Sequence, residues 1–306
     1  MRLPGRGGHH GSGVLTSDFS HPANPRFVGQ TSHARCPTDA LRVVSFNIRY
    51  SQNVAGAIEV LGAHGQLREP DVLLLQEMDL RGVREIASAL KLNYVYYPAA
   101  RHPLKMARDA QNGIPRSHPE FGFFGTAVLS PWRLEDDQKI LLGRGYDRAL
   151  KAAVAATVRW GDRKVRAVSV HLPRPLREHF EFELRGLVAC VLDGACESPT
   201  LAVGPDRWAD REPAGNFVIG GDFNSSGGAQ LRAIGRVFAG RGEEAPGLHS
   251  TFNLLHFRIL PRWLSFDHIV HGRTFSVSPM QSGVVAIPRA VSDHHPVWAV
   301  LKVRQP

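Results

Sequence analysis

The chain has 306 residues, 43% of them apolar and 21% charged, a balance that fits a folded globular protein and excludes a wholly disordered or fibrous one. No apolar run approaches the roughly 18 residues that cross a bilayer, and no apolar stretch follows the basic N-terminus as a secretory leader requires. Three cysteines (Cys36, Cys190 and Cys196) offer neither a disulfide framework nor zinc spacing, so the expectation is a cytoplasmic, unstapled chain. Lysine and arginine exceed aspartate and glutamate by nine. That excess favours anionic partners (nucleic acid, phosphorylated small molecules or an anionic membrane surface) or reflects solubility alone.

Residues 1–38 are rich in Gly, Pro, His and Ser, without hydrophobic periodicity, and read as a disordered tail before one domain over 39–306. Four arginines against Asp18 leave that tail at +3 and the rest at +6. His9 and His10 read as solvated rather than metal-binding. From residue 41 the pattern changes: Leu41–Arg49 is β-branched and aromatic, a strand. A weaker helical stretch covers 54–67, and Asp71–Glu77 is a continuous apolar run suited to a buried strand. Arg81–Leu90 places Val83, Ile86, Ala87 and Leu90 on one helical face, and Tyr94–Tyr97 is a strand.

Residues 99–120 form a long loop bearing Pro, His and Arg. Strands are expected at Phe123–Ser130, Ala149–Trp160 and Lys164–His171, and an amphipathic helix at Glu178–Leu192. A polar loop (193–215) precedes Asn216–Asn224, a strand running into a Gly-Gly-Asp-Phe-Asn turn. A helix at 228–238 and strands at 266–271, 274–279 and 297–303 complete the domain. Strands mixed with helices, many of them consecutive, predict mixed sheets covered by helices.

Polar residues recur where apolar strands end, the place where loops leave a rigid scaffold. Asn47, Glu77, His171, Asp222, Asn224 and Asp293-His294 all occupy such positions. Carboxylate and amide oxygens suit a hard divalent cation such as Mg²⁺, which makes Glu77 and Asp293 candidate metal ligands with Asn47 beside them; each taken alone also reads as a cap, a surface group or a turn residue. Alternation along an extended backbone puts Asp222 and Asn224 on one side, as a base that positions water beside an amide that holds a phosphate oxygen. The same residues also fit a plain Gly-Asp-Asn turn. Asp267 is a plausible partner for His294: a carboxylate on one ring nitrogen fixes the tautomer, leaving the other to stabilise a charged transition state. His171 and Arg148 are candidates for contact with phosphate, or a buried histidine and a surface arginine; His268 and His295 read as structural.

Taken in order, Ser45-Phe46-Asn47, Gln76-Glu77, Ser169-Val170-His171-Leu172, Gly221-Asp222-Phe223-Asn224, Phe266-Asp267-His268-Ile269 and Ser292-Asp293-His294-His295-Pro296 resemble the motif set of the endonuclease/exonuclease/phosphatase superfamily. Phe124–Ser130 and Asp147–Leu150 resemble its intervening strands. The resemblance spans about 41 to 303. It implies an α/β (α+β) four-layer sandwich, with two mixed β-sheets packed face to face and flanked by helices, and Mg²⁺- or Mn²⁺-dependent phosphoester hydrolysis. By motif, Glu77 would be the principal metal ligand, with Asn47 and Asp293 near it. Asp222 would activate water or act as acid/base, Asn224 would bind phosphate, and Asp267 would orient His294. His171 matches the branch that includes deoxyribonuclease I and sphingomyelinases, and departs from the apurinic endonucleases.

Three substrate readings follow. The basic balance and the Arg/His-bearing stretch 101–118 fit a nucleic-acid phosphodiesterase. The aromatic, apolar and basic stretch 252–264 fits a phospholipid or inositol-phosphate hydrolase docked at a membrane interface, or simply a strand and loop closing the core. A non-catalytic binding protein on the same fold would be expected to have lost Glu77, Asp222 or His294, and has not. No protein partner is inferable.

Overall fold

Apolar runs with no polar face become central strands here, because a strand between two layers must bury both sides. The structure, a computed structural model, describes residues 25–31, 35–118, 120–144, 149–174, 179–195, 202–203, 215–225, 228–252 and 265–305. The first half runs β1 (Phe27–Gly29), β2 (Ala40–Asn47), α1 (Val54–Ala63), β3 (Val72–Met78), α2 (Leu80–Leu90), β4 (Asn93–Arg101), α3 (Pro103–Gln111) and β5 (Phe123–Ser130). Next come β6 (Leu134–Arg144), β7 (Leu150–Trp160), β8 (Arg163–His171), α4 (Phe180–Val188), β9 (Ala202–Val203), β10 (Phe217–Asp222) and α5 (Gly228–Phe238). The last strands are β11 (Gly242–Glu244), β12 (Asp267–Gly272), β13 (Phe275–Ser276), β14 (Ser282–Val284) and β15 (Val297–Val303).

These strands form two mixed sheets. The first, of eight strands, is ordered β1-β4-β5-β3-β2-β15-β13 with β14 also on β15; the second, of seven, is ordered β11-β12-β10-β8-β7-β6-β9. One core lies between the sheets, where Val43, Leu74 and Val128 of the first meet Val154, Ala167 and Ile269 of the second. A second core packs α1 and α2 on the outer face of the first sheet through Leu61, Val83 and Ile86. A third packs α4 and α5 on the second sheet through Leu184, Leu187 and Ile234. The expected four-layer sandwich is therefore the observed architecture. Asn53 and Asp79 cap α1 and α2 by accepting the backbone N–H of Gly56 and Gly82, so both helices start where the sequence turns apolar-periodic.

The structure departs from expectation in several places: β9, β11 and β14 were not anticipated, and the strand expected at 274–279 is only β13. Residues 27–29, assigned to the tail, pair antiparallel with β4, and Arg26 makes a bidentate contact with Asp137 at 2.6 and 2.7 Å; residues 1–24 lie outside the described residues. The loop placed at 99–120 instead extends β4 to Arg101 and then forms α3, which starts with Pro103 in its first turn where a missing N–H costs nothing. β6 was not anticipated. Cys190 is disulfide-bonded, against the expectation of an unstapled chain, while Cys36 is free and exposed. No helix of the described residues is long and apolar enough to cross a membrane.

Candidate active site

The two sheets come together at one end through a buried polar link. Gln76, the penultimate polar residue of β3, donates to Ser169 Oγ of β8 at 3.0 Å, and Ser169 donates to the Leu75 carbonyl at 3.0 Å. One residue further along β3 stands Glu77, and two residues further along β8 stands His171. In the second sheet Asp222 is paired in register with His171 on one side and Asp267 on the other, so β8, β10 and β12 present an imidazole and two carboxylates in a row. Gly221 makes this row possible. Its φ is +149°, and a Cβ there would overlap the Val170 carbonyl of β8.

Asp222 sits at the centre. Its carboxylate accepts Asn47 Nδ2–H at 3.1 Å and the Asn224 backbone N–H at 2.8 Å. Its Oδ2 stands 3.7 Å from both His171 Nε2 and His294 Nε2. Burial raises its pKa, His294 pulls it back and Asp267 pushes it up again. His294 arrives from the first sheet's side: Ser292 Oγ donates to the Asn47 carbonyl at 2.6 Å and accepts the His294 N–H at 3.2 Å. Its Nδ1 lies 2.8 Å from Asp267 Oδ2. Burial alone would strip the proton from this ring, but Asp267 and Asp222 outweigh it and hold the pKa up to about 10. At neutral pH Asp267 therefore accepts Nδ1–H, and Nε2–H faces Asp222 as a donor. His171 titrates the other way. Burial first, then the positive charges of Lys151 and His294, keep it well below the ordinary range and neutral.

Glu77 sits at a bulge in β3 with φ +54°, a left-handed backbone that glutamate adopts only under constraint. The bulge turns its carboxylate toward His171, whose Nε2 is 3.8 Å from Glu77 Oε1. Burial raises its pKa to about 7, opposed by Lys151 and His294. A carboxylate that is only 14% exposed and makes no hydrogen bond among the described residues suits a hard cation. Asp293 is less buried and pairs with Arg49 Nε at 3.3 Å. Asn47 is fully buried, and its side chain is engaged by Asp222 and by the Arg49 N–H at 3.0 Å. Ligand-type atoms of Asp222, Asp267 and His294 also lie within 4.8 Å of one another, a grouping that could hold a metal. The 2.8 Å contact of His294 Nδ1 with Asp267 Oδ2 already joins two of the three as a hydrogen-bonded pair, whereas the Glu77 carboxylate makes no hydrogen bond among the described residues and is the better fit to a cation. Among the described residues, Asp267 Oδ1 is a buried carboxylate oxygen with no hydrogen-bond partner.

Asn224 has φ +50°, which asparagine tolerates. It donates Nδ2–H to the Leu172 carbonyl at 2.7 Å and accepts Arg174 Nε–H at 3.0 Å. Arg148 lies outside the described residues, as do 253–264 of the stretch that suggested an interfacial role. Sequence reasoning missed Arg174, which is exposed beside Asn224, and Lys151, which is buried with Nζ 5.0 Å from the Phe124 ring centroid. A lysine inside the otherwise apolar run Leu150-Lys-Ala-Ala-Val was a visible signal. It also missed Arg49-Tyr50-Ser51, three consecutive non-glycine residues at φ +33°, +52° and +55° that follow Asn47-Ile48. Such a left-handed turn costs roughly 1–2 kcal/mol per residue and persists only when its surroundings impose it.

The fold has counterparts among solved structures. The B. vulgatus endonuclease/exonuclease/phosphatase structure shares 15% identity at a TM-score of 0.60, covering 87% of this chain and 99% of that one. D. rerio TDP2 with a single-strand DNA product shares 14% identity at a TM-score of 0.56, over 87% and 100%. Sphingomyelinase C from Streptomyces griseocarneus shares 16% identity at a TM-score of 0.53, over 86% and 99%. These likenesses show the fold. No curated protein sequence matches the chain. The sequence model of the Endonuclease/Exonuclease/phosphatase family matches residues 44–294, from β2 to the histidine of the central relay, and the chain belongs to that family.

Proposed function

We propose that the protein is a Mg²⁺- or Mn²⁺-dependent phosphodiesterase that hydrolyses nucleic acid at the centre formed by Glu77, His171, Asp222, Asn224, Asp267 and His294. The observation that carries this reading is the pairing of a buried, protonated His294 with a carboxylate 3.7 Å away on Asp222, flanked by a neutral His171. That combination supplies a base for water and donors for phosphate at one point. A divalent cation held by Glu77, with Asp293 and Asn47 beside it, would polarise the phosphoryl oxygen and neutralise developing charge.

The chain's own groups do the rest. Asp222, fixed by two N–H donors, orients a water and takes its proton as the water oxygen bonds to phosphorus and the ester P–O bond opposite breaks, the departing oxygen taking up a proton from solvent. His294 donates Nε2–H to a phosphoryl oxygen while Asp267 holds Nδ1–H. Neutral His171 and the Asn224–Arg174 pair contact the remaining oxygens; Arg148, by motif, adds a charge-assisted contact. Nucleic acid is favoured as substrate because Arg49, Arg108 and Arg174 stand around the centre of an already basic chain.

The test is cleavage of labelled DNA with chelator, Mg²⁺ or Mn²⁺, by wild type and Glu77→Ala. Turnover should vanish in chelator, return with metal, and need far more metal in the variant. Equal turnover of the variant at limiting Mg²⁺ would remove Glu77 from the metal site.

A further inference from the structure

The left-handed turn Arg49–Ser51 is held from several sides. Arg49 N–H donates to Asn47 Oδ1 at 3.0 Å, and the Asp79 N–H donates to Ser51 Oγ at 2.9 Å. Arg108 of α3 donates to the Arg49 and Tyr50 carbonyls at 3.1 and 3.4 Å. α3 is itself anchored by the buried Lys105, which pairs with Asp79 at 2.7 Å and with Asp109. A buried ammonium, two carboxylates and a guanidinium thus surround one strained turn, whose Tyr50 also packs against the cluster of Ala100, Phe124 and Leu141.

The turn presents Tyr50. Its ring stacks on His102 at 4.6 Å and 15°, and meets Phe124 edge-on at 5.5 Å. Phe124 in turn meets His171 edge-on at 6.4 Å, so an aromatic path runs from Tyr50 to the candidate centre. Tyr50 keeps part of its surface in solvent. Arg49 beside it is 34% exposed, and Arg108 is close enough that Arg49, after burial, helps depress its pKa. Two crowded cations next to a pre-ordered flat ring match the chemistry of a nucleotide: a π-face to stack and a phosphate to pair.

We propose that Tyr50 and Arg49 form a subsite for one nucleotide of a single-stranded nucleic acid next to the scissile phosphate, the base stacking on Tyr50 and the flanking phosphate pairing with Arg49. Arg108 and Lys105 are positioning residues for this turn. The subsite deepens the phosphodiesterase reading and rests on it for the site's location, but its binding test does not need turnover.

The experiment compares fluorescein-labelled oligothymidylate with an oligomer of the same length built from abasic tetrahydrofuran units, so that phosphate count is constant and only the bases differ. Binding is read by anisotropy in chelator, for wild type, Tyr50→Phe and Tyr50→Asn. Asparagine tolerates positive φ and keeps the turn, which thermal melting verifies. Wild type and Tyr50→Phe should bind oligothymidylate at least about tenfold more tightly than the abasic oligomer, and Tyr50→Asn should lose most of that preference. Equal wild-type affinity for the two oligomers, or a preference that survives Tyr50→Asn, overturns the subsite. So does a Tyr50-dependent preference for phosphatidylserine vesicles over both oligomers. A base preference that depends on Tyr50, with no cleavage of either oligomer in Mg²⁺ or Mn²⁺, keeps the subsite and defeats the phosphodiesterase reading alone.

Discussion

On the proposed reading, three side chains carry the chemistry because their surroundings move their proton affinities apart. His294 is driven to hold its proton by Asp267 and Asp222 in spite of burial, whereas His171, a few ångströms away on the other side of Asp222, is driven to release it. A donor and a neutral ring on either side of a single carboxylate are what the proposed division of proton transfer requires. His294→Ala removes the donor and leaves Asp267 buried without its partner. Turnover of a DNA substrate should fall by two orders of magnitude or more, and a loss under about tenfold would argue against this role. The same groups make the metal-free protein sensitive to pH. Glu77 ionises near 7 when folded against 4.5 when unfolded, so the unfolded chain gives up its proton first and stability falls as pH rises across that interval. His294 holds its proton to about 10 against 6.5, so its contribution is whole below 6.5 and lost as pH rises through about 10. Melting in chelator carries these two falling contributions against the rising ones of His171 and of Lys139, which burial holds down to about 7. Relative to wild type, Glu77→Gln should therefore lose a component that falls between pH 4.5 and 7, and His294→Gln one that falls between pH 6.5 and 10; difference profiles that are flat in both windows would contradict the assignments.

At the level of elements, the site depends on register between strands as much as on residue type. Asp222 meets His171 because β10 lies parallel against β8, and Gly221 is what lets the two backbones approach. Gly221→Ala would force a Cβ into the Val170 carbonyl in a backbone region that alanine avoids. The expected cost is about 2 kcal/mol or more in chemical denaturation, with a larger loss of turnover, because Asp222 and His171 would part; an unchanged denaturation midpoint would refute the close approach. Elements whose sequence is uniformly apolar were legible: β2, β3, β8, β10 and β15 lie within a residue or two of expectation, as do α2 and α5. β6 was not, because Leu134-Glu-Asp-Asp-Gln-Lys139 looks solvated. Its charges find partners far along the chain, as Glu135 does with Arg159 at 2.7 Å and Asp137 with Arg26 and Tyr97. The helix α3 was hidden for the same reason, since its Lys105 and Asp109 are buried against each other and Asp79. Local patterning cannot reveal pairings that only tertiary structure creates.

Across the whole molecule, two sheets and four layers bring the ends of β2, β3, β8, β10 and β12 to one pole, and the loop before β15 closes it with His294. The six motifs could be ordered from sequence because each is a strand end. Their convergence could not, since it depends on Gln76 and Ser169 joining the sheets and on Ser292 tying His294 to Asn47. The strained turn at Tyr50 was invisible for a different reason: positive φ in Arg-Tyr-Ser has no residue signature. The central claim is that these strand ends make one hydrolytic centre built on Asp222. Its most direct test is single-turnover cleavage of end-labelled single-stranded DNA by wild type and Asp222→Asn in saturating Mn²⁺, with melting curves showing both folded. The account predicts metal-dependent cleavage by wild type and a rate lower by about a thousandfold or more in the variant. An inert wild type, or a variant within tenfold of it, would contradict the account.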